Sequence, residues 1–230
     1  MANRLSRITA LLGDDAMDKL RGATVMVVGC GAVGSFAVEA LARSGVGGIV
    51  VVDFDVVEES NINRQLFALG STIGMPKVDV AASRIHDINP DAKVIAINAF
   101  VDDNIKIDIT PDFVIDAIDT VDSKIALYKW CVAHNVPFVA SMGAAMKTDI
   151  SKIQVAKISK TTVCPLAARV RKMVRDAGLP DFPVVYSTEA PHKNASAPGR
   201  VFGSIVTVTG SFGLRLADVA IKHICGLCGK

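Results

Sequence analysis

Three groups of residues in this 230-residue chain have the types and spacing for phosphate chemistry. The first is Gly29-Cys30-Gly31-Ala32-Val33-Gly34, a G-x-G-x-x-G between a β-branched run and a helical pattern. Gly29, Gly31 and Gly34 permit a tight turn, close approach of a ligand and close helix–strand packing. The helix N-terminus that follows offers free N–H groups to an anion. Asp53 ends the next apolar run, where a carboxylate accepts hydrogen bonds from a ribose. The second group is the polar stretch 55–65, holding Asp55, Asn61, Arg64 and Gln65, followed by Lys77. Two cations leaving the carboxyl edge of a strand suit a triphosphate, whose charge grows on the bridging oxygen as pyrophosphate departs. A nicotinamide dehydrogenase would use the same glycine turn and the same Asp53, but it has no evident use for Asn61, Arg64 and Lys77. A surface loop would instead pair Arg64 and Lys77 with Glu58 and Glu59. The third group is DAIDTVD, Asp116 to Asp122. Asp119 is expected in the crevice, where it could hold Mg²⁺ on phosphates. Asp122 fits a cap for a helix starting at Ser123.

The elements that must position these residues are legible from their periodicity. Ala23–Gly29 and Gly48–Asp53 read as strands buried on both faces, with a helix over Ala32–Ser44 between them stopped by Gly45. Pro76 opens a helix to about His86, Val94–Phe100 and Phe113–Asp116 are strands, Ser123–His134 is a helix and Pro137–Ala140 a fifth strand. After Ser141 the rhythm changes to an alternating strand Ile153–Ile158, a basic amphipathic helix Pro165–Asp176, a strand Phe182–Ser187, a polar loop His192–Arg200 and a helix Gly203–Ile224. The fold class is α/β, a doubly wound, mostly parallel Rossmann-like sheet with a C-terminal α+β extension. Residues 1–145 form the nucleotide-binding part and residues 146–230 the extension.

Composition narrows the class further. Half the residues are apolar and 21% charged, and the N-terminus MANRLSRIT has no apolar stretch of a signal peptide. The uncharged run Val201–Leu214 is too short for a bilayer, so no membrane span and a cytoplasmic location are expected. The five cysteines read as reduced thiols. Cys225 and Cys228 form one C-x-x-C, whereas a structural zinc site normally needs a second pair or histidines. Residues 1–146 hold 12 Lys and Arg against 18 Asp and Glu, while residues 147–200 hold 10 against 4. That split marks a surface suited to a polyanion, or simply a solvated helix face.

Taken together, VVDFDVVEESNINRQ, GMPK, DAID and GCGAVG closely resemble the ThiF/MoeB-type adenylating fold, the bacterial relatives of ubiquitin-activating enzymes. The resemblance covers nearly the whole chain. It implies ATP and Mg²⁺ as cofactors, ribose binding by Asp53 and phosphate-end roles for Asn61, Arg64 and Lys77, with Asp55 and Gln65 in the same nucleotide site. It also assigns Asp119 to the metal. Arg4-Leu5-Ser6-Arg7 matches an R-x-x-R whose second Arg reaches a partner subunit's site, which implies a homodimer with Arg7 as a cross-subunit catalytic finger.

Within that fold the chain is most similar to the branch that dehydrates threonylcarbamoyladenosine in tRNA. The similarity rests on RLSRITALLG, IDAIDTVDSK, QVAKISKTTVCPLAARVR, YSTE and GSIVTVTGSFG. This implies adenylation of the threonylcarbamoyl carboxylate, then ring closure on the base with loss of water. It makes the modified tRNA the partner, contacted by Lys152, Lys157, Lys160, Arg169, Arg171, Lys172 and Arg175, and allows a cysteine desulfurase or sulfur acceptor as another. The neighbouring branch adenylates the C-terminus of a ubiquitin-like sulfur-carrier protein, and its usual two C-x-x-C pairs are absent here. Cys164 stands where several relatives have Asp, and Val184 and Val185 lie where they have a Cys. No cysteine therefore receives a catalytic role.

Overall fold

The computed structural model describes residues 4–105, 107–192 and 202–227. Its centre is a seven-stranded sheet of order β3-β2-β1-β4-β5-β7-β6. The strands are β1 Thr24–Val28, β2 Gly48–Asp53, β3 Lys93–Asn98, β4 Phe113–Asp116, β5 Phe138–Ser141, β6 Ile153–Lys157 and β7 Pro183–Ser187. All pairings are parallel except β6 with β7, which is antiparallel at the outer edge. The helices are α1 Ser6–Leu12, α2 Asp14–Gly22, α3 Gly34–Arg43, α4 Lys77–Ile88, α5 Val121–Ala133, α6 Pro165–Asp176 and α7 Val206–Cys225.

Alternation along the central strands divides the core in two. Val25 and Val27 of β1 point to the face covered by α2, α3, α4 and α7, where Leu20, Leu41, Ile85, Phe212 and Leu216 are buried. Met26 and Val28 point to the other face and meet Leu127 and Tyr128 of α5 and Val170 and Val174 of α6. A parallel sheet with both faces covered has to be apolar throughout its centre, which is why TVMVV and GIVVVD show no polar alternation. Residues 146–230 continue the same sheet through β6 and β7.

Every element read from the sequence is present, with differences at the element ends and two further helices at the N-terminal side. Pro76 is the residue before α4 rather than its first, and α3 starts at Gly34 because the glycine turn occupies the preceding residues. α5 begins at Val121, so Asp122 is a first-turn acid facing the helix dipole and not a cap. Helices α1 and α2 were not anticipated; α1 has no side-chain cap, and Gly13, at φ 82°, breaks the pair. Cys228 and the loop after His192, through Arg200, fall outside the described residues.

Two glycines fix how closely the helices approach the carboxyl edge. A Cβ at Gly34 would be driven into the carbonyl oxygen of Gly29, so the first turn of α3 packs directly on the end of β1. Gly213 does the same for α7, where a Cβ would collide with the carbonyl oxygen of Val33. Glycine inside a helix normally costs about 1 kcal/mol relative to Ala. Gly213→Ala should therefore be stabilising if only propensity mattered. Backbone overlap should win, costing about 1–3 kcal/mol as in other overpacked cores. A lowered thermal midpoint is the expected result, and an unchanged or raised one contradicts this packing.

Candidate functional site

The sheet order reverses between β1 and β4: the chain winds outward from β1 to β2 and β3, then crosses back to β4 and β5. A crevice at the carboxyl ends of those two central strands follows from this topology. There the structure has a cavity of about 850 Å³. Its lining includes Gly29, Gly31, Asp53, Asp55, Asn61, Arg64, Gln65, Lys77 and Asp119. Gly34 stands behind it as the first residue of α3. Arg7 is not part of the lining; it is exposed on α1, whose preceding residue Leu5 packs toward Gly45 at the far end of α3.

Asp53 is oriented by the backbone. One carboxylate oxygen accepts the Cys30 N–H at 2.6 Å and the other the Asp55 N–H at 2.9 Å. Each oxygen keeps lone-pair capacity for a further donor, such as one of two neighbouring hydroxyls. The Cys30 thiol, fully buried beside this carboxylate, is pushed well above its ordinary pKa by burial and then by Asp53. It is therefore a neutral packing group.

Lys77 is brought to Asp53 by the return of the crossover segment. Val57 N–H donates to Met75 O, Gly74 N–H to Val57 O, and Lys77 N–H to Asp55 O at 3.0 Å. Those bonds set the Lys77 ammonium 2.8 Å from the Asp55 carboxylate, with Lys77 only 5% exposed. Arg64 follows a 3-10 turn, Glu59–Asn61, closed by reciprocal hydrogen bonds between Glu58 and Asn61. Its guanidinium donates to Ser60 O and Asn63 Oδ1, both at 2.8 Å. Neither cation pairs with Glu58 or Glu59, so the surface-loop arrangement is not the one adopted. Gln65 is 9% exposed and its amide has no hydrogen-bond partner among the described residues. That amide keeps access to the cavity, where a ligand can meet it.

Asp119 is exposed at the cavity wall and, among the described residues, its carboxylate bonds only the Thr120 hydroxyl, at 3.3 Å. The loop carrying it is held from below. Asp116, fully buried, accepts the Ile118 N–H at 2.9 Å, the Lys124 ammonium at 2.8 Å and the Tyr128 hydroxyl. Lys124 also donates to Ser141 O at 2.8 Å, tying the ends of β4 and β5 together. Burial, then the Asp116 charge, pushes the Tyr128 hydroxyl well above its ordinary pKa, so it stays a donor. Sequence reading placed Asp116 at the strand end but missed Lys124 and Tyr128, which look like ordinary members of an apolar helix. It also missed the cavity-lining Phe54, Phe100, Leu166, Phe202 and Thr209.

Beyond β5, the loop 146–149 is clamped by Glu189. Its carboxylate accepts the N–H groups of Thr148 and Asp149 and sits 2.9 Å from His192 Nε2. Lys147, also buried, donates to the Glu189 carbonyl at 2.6 Å. Among the described residues no cluster of three or more His, Cys, Asp or Glu could hold a metal ion unaided, and no helix is long and apolar enough to cross a membrane.

The family model of the ThiF family matches residues 3–230. The chain is 47% identical over 195 residues to the tRNA threonylcarbamoyladenosine dehydratase of Bacillus subtilis, covering 83% of this chain and 77% of that protein. It is 36% identical to the enzyme of the same name from Escherichia coli, covering 96% of this chain and 93% of that one. The crystal structure of the E. coli enzyme, TcdA, in complex with ATP superposes with a TM-score of 0.90 over 97% of this chain and 94% of that chain.

The Glu189 clamp has a pH signature. Burial alone would raise this carboxyl, but the Asp149 and Thr148 N–H groups, His192 and the Thr148 hydroxyl bring it from 4.5 down to about 2. A carboxylate lowered in the folded state contributes stability above its unfolded pKa and loses it as pH falls through the folded value. Urea midpoints should therefore drop between pH 4.5 and about 2. Glu189→Gln should lower the neutral-pH midpoint and flatten that limb. Parallel curves for the two proteins across this window would contradict the assignment.

Proposed function

The chain belongs to the ThiF family, and from that premise we propose that it is an ATP-dependent tRNA threonylcarbamoyladenosine dehydratase working through an acyl-adenylate. The observation that carries the reading is the pair of cations, Arg64 and Lys77, set in one cavity with the backbone-oriented Asp53 carboxylate. Asp53 takes the ribose hydroxyls of ATP. The triphosphate then runs past Gly31 and the free N–H groups at the start of α3 toward Asn61, Arg64, Gln65 and Lys77. Asp55 holds the Lys77 side chain in place until phosphate oxygens share it.

The substrate's threonylcarbamoyl carboxylate attacks the α-phosphorus. The bond to the bridging oxygen breaks, and pyrophosphate leaves with the electron pair. A carboxylate is already nucleophilic at neutral pH, so no general base is needed, and Arg64 and Lys77 act by positioning and by stabilising charge on the departing oxygens. A nitrogen or oxygen of the modified base then attacks the acyl carbon and AMP departs. One carboxylate oxygen leaves with it, so the nucleoside loses the atoms of one water.

Magnesium fits this site. One carboxylate plus phosphate oxygens is a usual Mg²⁺ environment, and Asp119 is the cavity carboxylate without a cation or backbone N–H partner. Asp119 would hold the ion, which when bound would neutralise phosphate charge. Arg7 lies too far round the fold to line its own cavity, and serves the site of a second copy in a homodimer. A tRNA substrate places the reaction in the cytoplasm. The division of labour is residues 1–145 for the nucleotide and residues 146–230 for the RNA.

Helix α6 gives the RNA-facing surface its detail. Ala167, Val170 and Val174 are buried while Arg169 and Lys172 are exposed, with no acidic partner among the described residues. Leu166, one turn before Val170, already lines the cavity, so a phosphate track on α6 leads to its mouth. Arg171 is spent on Thr161, at 2.6 Å from its hydroxyl, and Lys157 donates to Asp181 O. Arg171 holds the fold, and the sequence pattern alone does not separate it from Arg169 and Lys172. Loss of either exposed cation should weaken tRNA binding and lower its salt slope by about one unit.

The decisive assay is mass spectrometry of nucleosides from threonylcarbamoylated tRNA incubated with the protein and ATP. The expected product is lighter by one water, with AMP and pyrophosphate released. Arg64→Ala and Lys77→Ala should slow it by about 10²-fold or more at an unchanged thermal midpoint, and mixing Arg7→Ala with Lys77→Ala should recover part of the activity. Unaltered tRNA, with ATP consumed only when a carrier protein is supplied, would overturn the reading.

A further inference from the structure

The chain has nine Phe, two Tyr and one Trp, all within the described residues, and only Phe54, Phe100 and Phe202 are exposed. All three line the one cavity described above. An isolated exposed apolar residue needs no explanation, but the gathering of every exposed ring at one site does.

The three rings fall into two stations. Phe54 follows Asp53 at the end of β2, and Phe100 follows β3. Their centroids are 5.0 Å apart at 75°, an edge-to-face pair beside the ribose carboxylate. Phe202 has no ring partner among the described residues and is 76% exposed. Its neighbour Gly203 is pinned to the loop after β5, since Met146 N–H donates to Gly203 O at 2.8 Å and Gly203 N–H approaches Met146 Sδ at 3.1 Å. In the sheet, β2 and β3 lie on one side of β1 while β4 and β5 lie on the other. Phe202 is therefore tied to the β5 side of the cavity, where Leu166 begins the α6 cation track. Two residues on, Ser204 O accepts the Asn63 side-chain N–H at 3.3 Å from the β2–α4 connection.

A carboxylate carried on an RNA base can reach into a protein crevice only if that base is splayed from its neighbours. Proteins hold such bases by stacking them on aromatic faces while cations meet the flanking phosphates. We propose that Phe202 is the stacking platform for the modified adenine of the RNA substrate. The Phe54–Phe100 pair stands at the separate station for ATP. This rests on the dehydratase reading and adds to it the residue that recognises the base. An aromatic face fits because an aliphatic side chain of similar size gives apolar cover but no π-surface parallel to the base. The Gly203–Met146 pinning supplies the fixed backbone that a platform needs.

The test compares wild type with Phe202→Ala, Phe202→Leu and Phe202→Trp, using threonylcarbamoylated tRNA and ATP. Steady-state kinetics are measured for the tRNA, and ATP affinity is measured separately by calorimetry without tRNA. The Ala and Leu variants should lose about tenfold or more in kcat/KM for tRNA, the range of one base–aromatic stack, mainly through KM. Their ATP affinity should stay at the wild-type value, and the Trp variant should act like wild type. A Leu variant as active as wild type, an Ala variant indistinguishable from it, a Trp variant as impaired as Ala, or a parallel loss of ATP affinity would each overturn the proposal. The two readings fail differently. If wild type leaves the tRNA unchanged, the dehydratase reading falls and takes this one with it; if wild type acts and Phe202→Ala matches it, only the stacking platform falls.

Discussion

The site depends on how closely the first turn of α3 can approach the end of β1. At the point where the sheet order reverses, no crossover covers the central strands, and the space left is useful only if backbone N–H groups border it. Gly34 makes that possible because any side chain there would strike the Gly29 carbonyl. Gly213 lets α7 pack against the same turn, and so sets the wall carrying Thr209. The cavity is thus bounded by main chain held at van der Waals limits. A surface of that kind can meet phosphates without long side chains to reach them.

Upon that frame the charges are placed before any ligand arrives. Both Asp53 oxygens are fixed by backbone donors, and Lys77 is held in a nearly closed setting by its contact with Asp55. Beneath them, Asp116, Lys124 and Tyr128 form a network without exposure to water. Ion pairs of this sort add little net stability, because desolvation offsets most of the attraction. What this one does is geometric, since it fixes the Asp119 loop to β4 and, through Ser141 O, to the end of β5. Electrostatic catalysis draws on donors and charges that need no reorganisation during the reaction, and this arrangement meets that demand.

Much of this was legible in the sequence, for a physical reason. A doubly covered parallel sheet forces uninterrupted β-branched runs, so Gly48–Asp53 and Phe113–Asp116 were readable to the residue, as was α6 from its Pro165 start and amphipathic face. The glycine turn, Asp53, Arg64 and Lys77 were readable because their chemistry depends on local spacing along one strand–loop–helix path. What escaped depends on long-range contact. Lys124 and Tyr128 acquire meaning only when α5 is laid over β4. Phe202 becomes notable only once nine of the twelve aromatic rings prove buried or half-buried and it does not. Helix α1 has no side-chain cap and no charges that favour its ends, and it is held by packing rather than by propensity. Helix α2 does carry such charges, Asp14 and Asp15 at its start and Lys19 and Arg21 at its end, which the sequence reading passed over.

The central claim is that the crevice beyond Asp53 holds a triphosphate between Arg64 and Lys77. A high-resolution structure with a non-hydrolysable ATP analogue tests it most directly. The account predicts ribose hydroxyls on Asp53 and phosphate oxygens within hydrogen-bonding distance of Arg64 and of Lys77, whose ammonium is then shared between Asp55 and the phosphates. Phosphates directed away from both side chains, with the Lys77–Asp55 pair undisturbed, would contradict it.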